Sequence, residues 1–134
     1  KRLGMEQTIG QYFSVEEMIP AAGQGILAVQ GRRGEDYEWI SCVDDAESRV
    51  AAMAERAFIR TVGGGCTSPS AAHAQVWGNE MKLTGLYYDE AGGEYLTGCI
   101  VASIDIRDAY KAGKELAERL MKKEGMRKLS VERK

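Results

Sequence analysis

Apolar residues are scattered over the first twenty positions, with a short patch at Tyr12 and Phe13 and a stop at Pro20. Ser14 and Glu17 stand three apart in SVEEM, the spacing of one capped helical turn. GILAVQGR, from Gly25, is a nearly continuous apolar run of strand length. Such a run suits a strand buried on both faces of a mixed or parallel sheet, yet the chain offers few partner strands for it. GEDYEWISCV then reads as a short helix. From Asp44 the period changes: Val50, Met53, Ala54, Ala57 and Phe58 form one helical stripe, while Arg49, Glu55, Arg56 and Arg60 fall elsewhere. Asp44 with Glu47 three residues on predicts a capping box, and Gly63 predicts the helix end.

Beyond the segment TVGGGCTSP the period becomes two. AAHAQVW runs to Gly78-Asn79, a tight hairpin signal, and EMKLTGLYY runs to the longer hairpin loop DEAGGE. YLTGCIVASIDI puts Leu96, Ile100, Ala102 and Ile104 on one face. Asp108 is the predicted cap of a last helix that buries Leu116, Ala117, Leu120 and Met121 and ends at Gly125; the charged tail MRKLSVERK is expected to fray. The predicted fold is α+β, a three-stranded antiparallel sheet covered on one face by helices.

Composition narrows the class. With 134 residues, 44% of them apolar and 28% charged, the chain can bury a core and is not of the disordered type. A net charge of -2 argues against a nucleic-acid binder, which matches phosphate with a basic patch. No apolar run approaches the ~20 residues of a membrane helix. The start, KRLGM, has neither an initiator methionine nor the pattern of a signal peptide. It reads as the tail of a helix, so a fragment of a longer protein is expected. Three cysteines, Cys42, Cys66 and Cys99, without CxxC spacing disfavour a disulfide framework or a structural zinc site and fit a reducing, cytoplasmic setting.

The candidate chemistry is sparse. Gly23-x-Gly25-x-x-Ala28 formally fits a dinucleotide fingerprint, but a proline-bounded loop precedes it and a strand-like run follows, the reverse of the required context. Its glycines still let backbone N–H groups approach an anion. His73, the single histidine, has no ligand set around it in sequence and reads as a partly exposed structural residue. Trp39, Trp77 and the tyrosines read as core and edge packing, and Cys42 and Cys99 as small apolar residues. Cys66 differs, because Gly63, Gly64 and Gly65 stand directly before it. A thiol at a flexible turn is not placed there for packing. No histidine or lysine lies near it in sequence to lower its pKa, so a Cys–His nucleophile is disfavoured. A thiol that reacts once with an electrophile needs room more than activation, and glycines supply room.

The string MIPAAGQGILAVQGR, then AERAF, then GGGCTSP, with KRLGM upstream, resembles the porphobilinogen deaminase (hydroxymethylbilane synthase) family. The resemblance covers essentially the whole chain but only the C-terminal part of a family member. It implies a transferase that condenses four porphobilinogens into a linear tetrapyrrole with release of ammonia. It also implies that Cys66 carries a dipyrromethane cofactor through a thioether bond, with Gly65, Gln24 and Gly25 as further cofactor-facing residues. Residues 1–43 would then be a segment of the cleft and inter-domain region, containing the GQG turn, a strand returning to the first domain, and Arg32 at its end. Residues 44–134 would be the cofactor-carrying domain. The catalytic acid and most of the substrate-holding arginines would lie in the missing N-terminal domains, so no catalytic residue is assigned here and the chain alone is expected to be inactive. Its partners would be porphobilinogen, the growing pyrrole chain and those domains. Ser70-Ala71 after the loop proline and Gly63 before the cysteine depart from many members. Two other classes compete: a stand-alone α+β module that holds a small anion at its glycine loop, and a redox-sensing thiol protein.

Overall fold

Asp45, one residue later than the sequence pattern indicates, caps the main helix. Its backbone is extended and its carboxylate accepts from the Ser48 N–H at 2.7 Å. Asp44 is drawn instead to Arg49, at 2.6 Å. Glu47 therefore sits in the first turn of the helix, where negative charge meets the positive end of the dipole. The computed structural model describes residues 3–63 and 68–129. Within them, α1 spans Ala46–Thr61, β1 Ala71–Trp77, β2 Glu80–Asp89, β3 Glu94–Ser103, α2 Ile106–Met121 and β4 Arg127–Leu129.

The strands form one antiparallel sheet in the order β1-β2-β3-β4. The alternation resolves as expected: Ala72, Ala74, Met81, Leu83 and Leu96 are buried beneath the helices. Gly78, with φ 57°, makes the two-residue turn between β1 and β2. Gly85 and Gly98 stand opposite each other in the β2–β3 register. A Cβ at Gly85 would lie 2.6 Å from the Phe58 ring, and one at Gly98 would lie 3.1 Å from Leu120. These glycines form a furrow into which α1 and α2 settle.

The fourth strand corrects the three-stranded expectation. Arg127–Leu129 pairs with Tyr95–Thr97 instead of fraying. Lys128 Nζ reaches Glu94 Oε1 at 2.9 Å, Thr97 Oγ1 donates to the Arg127 carbonyl, and Met126 packs against the core. The cap of α2 is Asp105, which accepts from the N–H groups of Arg107 and Asp108, while Asp108 accepts from the Ser103 hydroxyl. The helix ends at Met121 with Lys122 as its C-cap, ahead of Gly125. Lys123 N–H donates to Leu120 O and Glu124 N–H to Arg119 O, a Schellman motif whose left-handed position is filled by lysine at φ 60°. Lys123 Nζ forms an ion pair with Asp89 Oδ2 at 2.7 Å, which ties this helix end to the β2–β3 hairpin.

Other expectations fail where burial is concerned. Met53 is only half-buried, and Ile104, Met121, Trp39, Trp77, Cys42 and Cys99 are exposed. GILAVQGR forms no strand, and Leu27 is 95% exposed. A run apolar on both faces needs neighbours on both edges, and no described segment pairs with it. The SVEEM turn does form: Ser14 N–H donates to Glu17 Oε2 and Glu17 N–H to Ser14 Oγ. GEDYEWISCV supplies a short 3₁₀ turn at Glu38–Cys42. No described helix is long and apolar enough to cross a membrane.

Candidate functional site

Glu55 was placed outside the helical stripe by its charge, yet it is 2% exposed. The signal was present in spacing: it lies four residues after Ala51 and three before Phe58, both buried. Burying a carboxylate is costly unless hydrogen bonds replace its water. Here Oε1 accepts from the Ala74 N–H at 2.7 Å and Oε2 from the Gly23 N–H at 2.6 Å. His73 Nδ1 lies 3.5 Å from Oε1. The expected structural histidine therefore has an acidic neighbour that sequence distance concealed.

These bonds join three segments. α1 leads into the loop that carries Cys66, β1 leads out of it, and Gly23 belongs to the turn at Ala21–Gly25. That turn closes through Gln24 N–H to Ala21 O and Ile26 N–H to Gly23 O. Gly23 and Gly25 take φ of 76° and 83°, a conformation that favours glycine. Gln24 and Gly25 are exposed, and the Gly25 N–H has no acceptor among the described residues. Both predicted turn residues thus present backbone and amide groups outward. Cys66 and Gly65 lie outside the described residues. Arg32 is solvent-exposed, 3.8 Å from Glu35, and its own N–H donates to the Tyr37 hydroxyl.

A groove of about 410 Å³ has Ile26, Leu27, Val29 and Ile40 along its apolar wall and Asp45 and Arg49 at its polar side. It reaches α1 no further than Ala52. Thr61, at the loop end of α1, is about 14 Å further along the axis at 1.5 Å per residue. Gly25 of the turn lines this groove as well. The Glu55 junction, six residues before Thr61, is nearer the loop.

Residues 50–122 match the family model for the C-terminal domain of porphobilinogen deaminase. The chain belongs to the porphobilinogen deaminase family. Residues 1–39 match a second model of that family, its dipyromethane cofactor binding domain. Among relatives named porphobilinogen deaminase, one from Ruminiclostridium josui is 44% identical over 120 residues, covering 90% of this chain and 40% of the relative. One from Acetivibrio thermocellus is 45% identical over 95 residues, covering 71% of this chain and 32% of the relative. One from Clostridium acetobutylicum is 38% identical over 122 residues, covering 90% and 40%. The chain spans about two fifths of the length of curated relatives that it matches. The Glu55 junction connects the two matched regions, since Gly23 lies in one and Glu55 and Ala74 in the other.

Proposed function

We propose that this chain is the C-terminal part of a porphobilinogen deaminase that condenses four porphobilinogens into hydroxymethylbilane, with Cys66 carrying a dipyrromethane by a thioether bond. One observation carries the reading: the Gly23 N–H of the turn is hydrogen-bonded to Glu55 of α1, and the same carboxylate holds Ala74 of β1, the two elements on either side of residue 66 in the chain. The residues present suit a pyrrolic group bearing carboxylates. The turn is open, with nothing within 4 Å of where a Cβ would stand on Gly23 or Gly25. Gly25 offers an N–H without an acceptor among the described residues, and Gln24 an exposed side chain, to a carboxylate.

The cofactor, when bound, supplies the nucleophilic pyrrole carbon from which the chain grows. The tasks of this chain are to hold the sulfur in place and to meet the carboxylates from one side. Residues 1–43 form the cleft and inter-domain segment in this reading, and residues 44–134 the cofactor-carrying unit. Burial supports that division: the core cluster lies between Val50 and Leu120, and among the described residues before 50 only Ala22 packs against it. Leu3, Tyr12, Phe13 and Leu27 are exposed, as suits surfaces that meet the remainder of a longer protein.

Glu55, the buried carboxylate nearest to Cys66 in sequence, already accepts from two backbone N–H groups. The chain alone is therefore expected to make no tetrapyrrole, for want of the acid and of a closed cleft. In the full-length enzyme, Cys66→Ser should abolish covalent loading, read by intact mass, and product formation. Activity of the isolated chain, or a loaded and active serine variant, would overturn the reading.

A further inference from the structure

We propose that Glu55 is a positioning residue, which sets where the Ala21–Gly25 turn stands relative to α1 and β1, the elements before and after residue 66 in the chain. The inference rests on the functional reading above for what the turn does, but its structural half is independent of that reading. Glu55 holds partners 32 residues before it and 19 residues after it with a single carboxylate. Both bonds are short and charge-assisted, the class that fixes geometry most firmly.

The two ends of the clamp are unequal. Ala74 lies inside β1, held by its register with β2 from Ala71 to Trp77. Its N–H leaves the free edge of that strand, so the carboxylate also covers part of an edge that would otherwise be unpaired. Gly23 has no such support. It sits in an exposed turn with no atom within 4 Å of its Cβ position, and Ala22 beside it is the turn's apolar contact with the core. When the clamp weakens, the strand stays and the turn moves.

Glu55→Gln separates these ends. The amide keeps the size and burial of the side chain but has one acceptor oxygen. Facing two N–H donors, it can satisfy one and must present its own NH₂ to the other. The oxygen will stay with Ala74, whose N–H is fixed and buried, and Gly23 will be released. His73, the other polar group facing the carboxylate, can then donate to nothing at that position but the same oxygen.

The test uses the full-length enzyme, wild type and Glu55→Gln, with two readouts. In hydrogen exchange read by mass spectrometry, the segment holding Gly23 should exchange about tenfold faster or more, with β1 protection unchanged. In steady-state kinetics, KM for porphobilinogen should rise about tenfold while kcat stays within about twofold, because the turn meets the pyrrole carboxylates of the cofactor and of the chain that grows on it, and not the reacting atoms. Unchanged exchange at Gly23 would overturn the proposal, as would faster exchange with unchanged KM. Equal loss of protection in β1 and in the turn would show a role in stability alone and would also overturn it. Cys66→Ser, measured alongside, keeps the two ideas apart. If that variant remains loaded and active, the functional reading fails, whatever the exchange at Gly23 shows.

Discussion

Gly113→Ala tests the tightest contact in the fold. The residue lies in α2 where it crosses α1, and an added Cβ would clash with the carbonyl oxygen of Ala54 and stand 2.8 Å from Ala57 Cβ and 3.0 Å from the Phe58 nitrogen. Two effects oppose each other. Alanine in a helix interior is favoured over glycine by about 1 kcal/mol. Overpacking costs about 1–3 kcal/mol, and the upper end applies here because helix backbone cannot rotate aside as a side chain can. The difference leaves a net loss of about 2 kcal/mol. For a domain of this size that lowers Tm by roughly 5–10 °C. Thermal melts followed by circular dichroism would read it, with Lys114→Ala, one residue on and exposed, as a control expected to stay within about ±0.5 kcal/mol. A higher Tm for Gly113→Ala would mean that the helices separate freely, and that the glycine is not what sets their approach.

Phe58→Ala should cost about 3–5 kcal/mol, since the ring is wholly buried over Gly85, whereas Arg60→Ala should stay within about ±0.5 kcal/mol; comparable melts for the two would refute the assigned helix face. Lys123 holds the Asp89 carboxyl below its ordinary value, first by hydrogen bond and then by charge. That stabilisation is present above about pH 4 and is lost as pH falls through the lowered value. The Tm gap between wild type and Lys123→Met should therefore be widest near neutrality and shrink below pH 4, and a gap independent of pH would assign Lys123 to packing instead.

The elements that the sequence disclosed are those whose partners are local. The Gly78 turn fixes the register of β1 on β2, and the alternation in EMKLTGLYY then decides which face is buried. The caps slipped by one residue at α1 and by three at α2 because several acids compete at each start. Which acid turns inward is decided by Arg49 and Ser103, not by spacing. β4 went unread because three residues rich in charge carry no period, and their pairing is set by β3 and by Lys128 reaching Glu94. Lys123 was passed over as the left-handed residue past the helix end for a related reason: glycine is the usual occupant, and the compensating contact to Asp89 lies far away in sequence.

The candidate site divides along the same line. Cys66, Gln24 and Gly25 can be proposed from sequence because they stand in the motifs that carry the family resemblance. Glu55 cannot, since both of its donors are backbone N–H groups, which every residue but proline possesses and which leave no mark in a sequence. A charged residue on an apolar stripe remains a clue, because such burial is tolerated only where donors converge. In this chain they converge from the two regions that match separate family models. Residues 3–43 expose most of their apolar side chains and contribute little to the core, so the hold of the α+β unit on the turn depends on Ala22 and on this carboxylate. A change at Glu55 therefore acts where the two regions meet, and its effect should fall on their relative placement before it reaches the core built around Phe58 and Leu116.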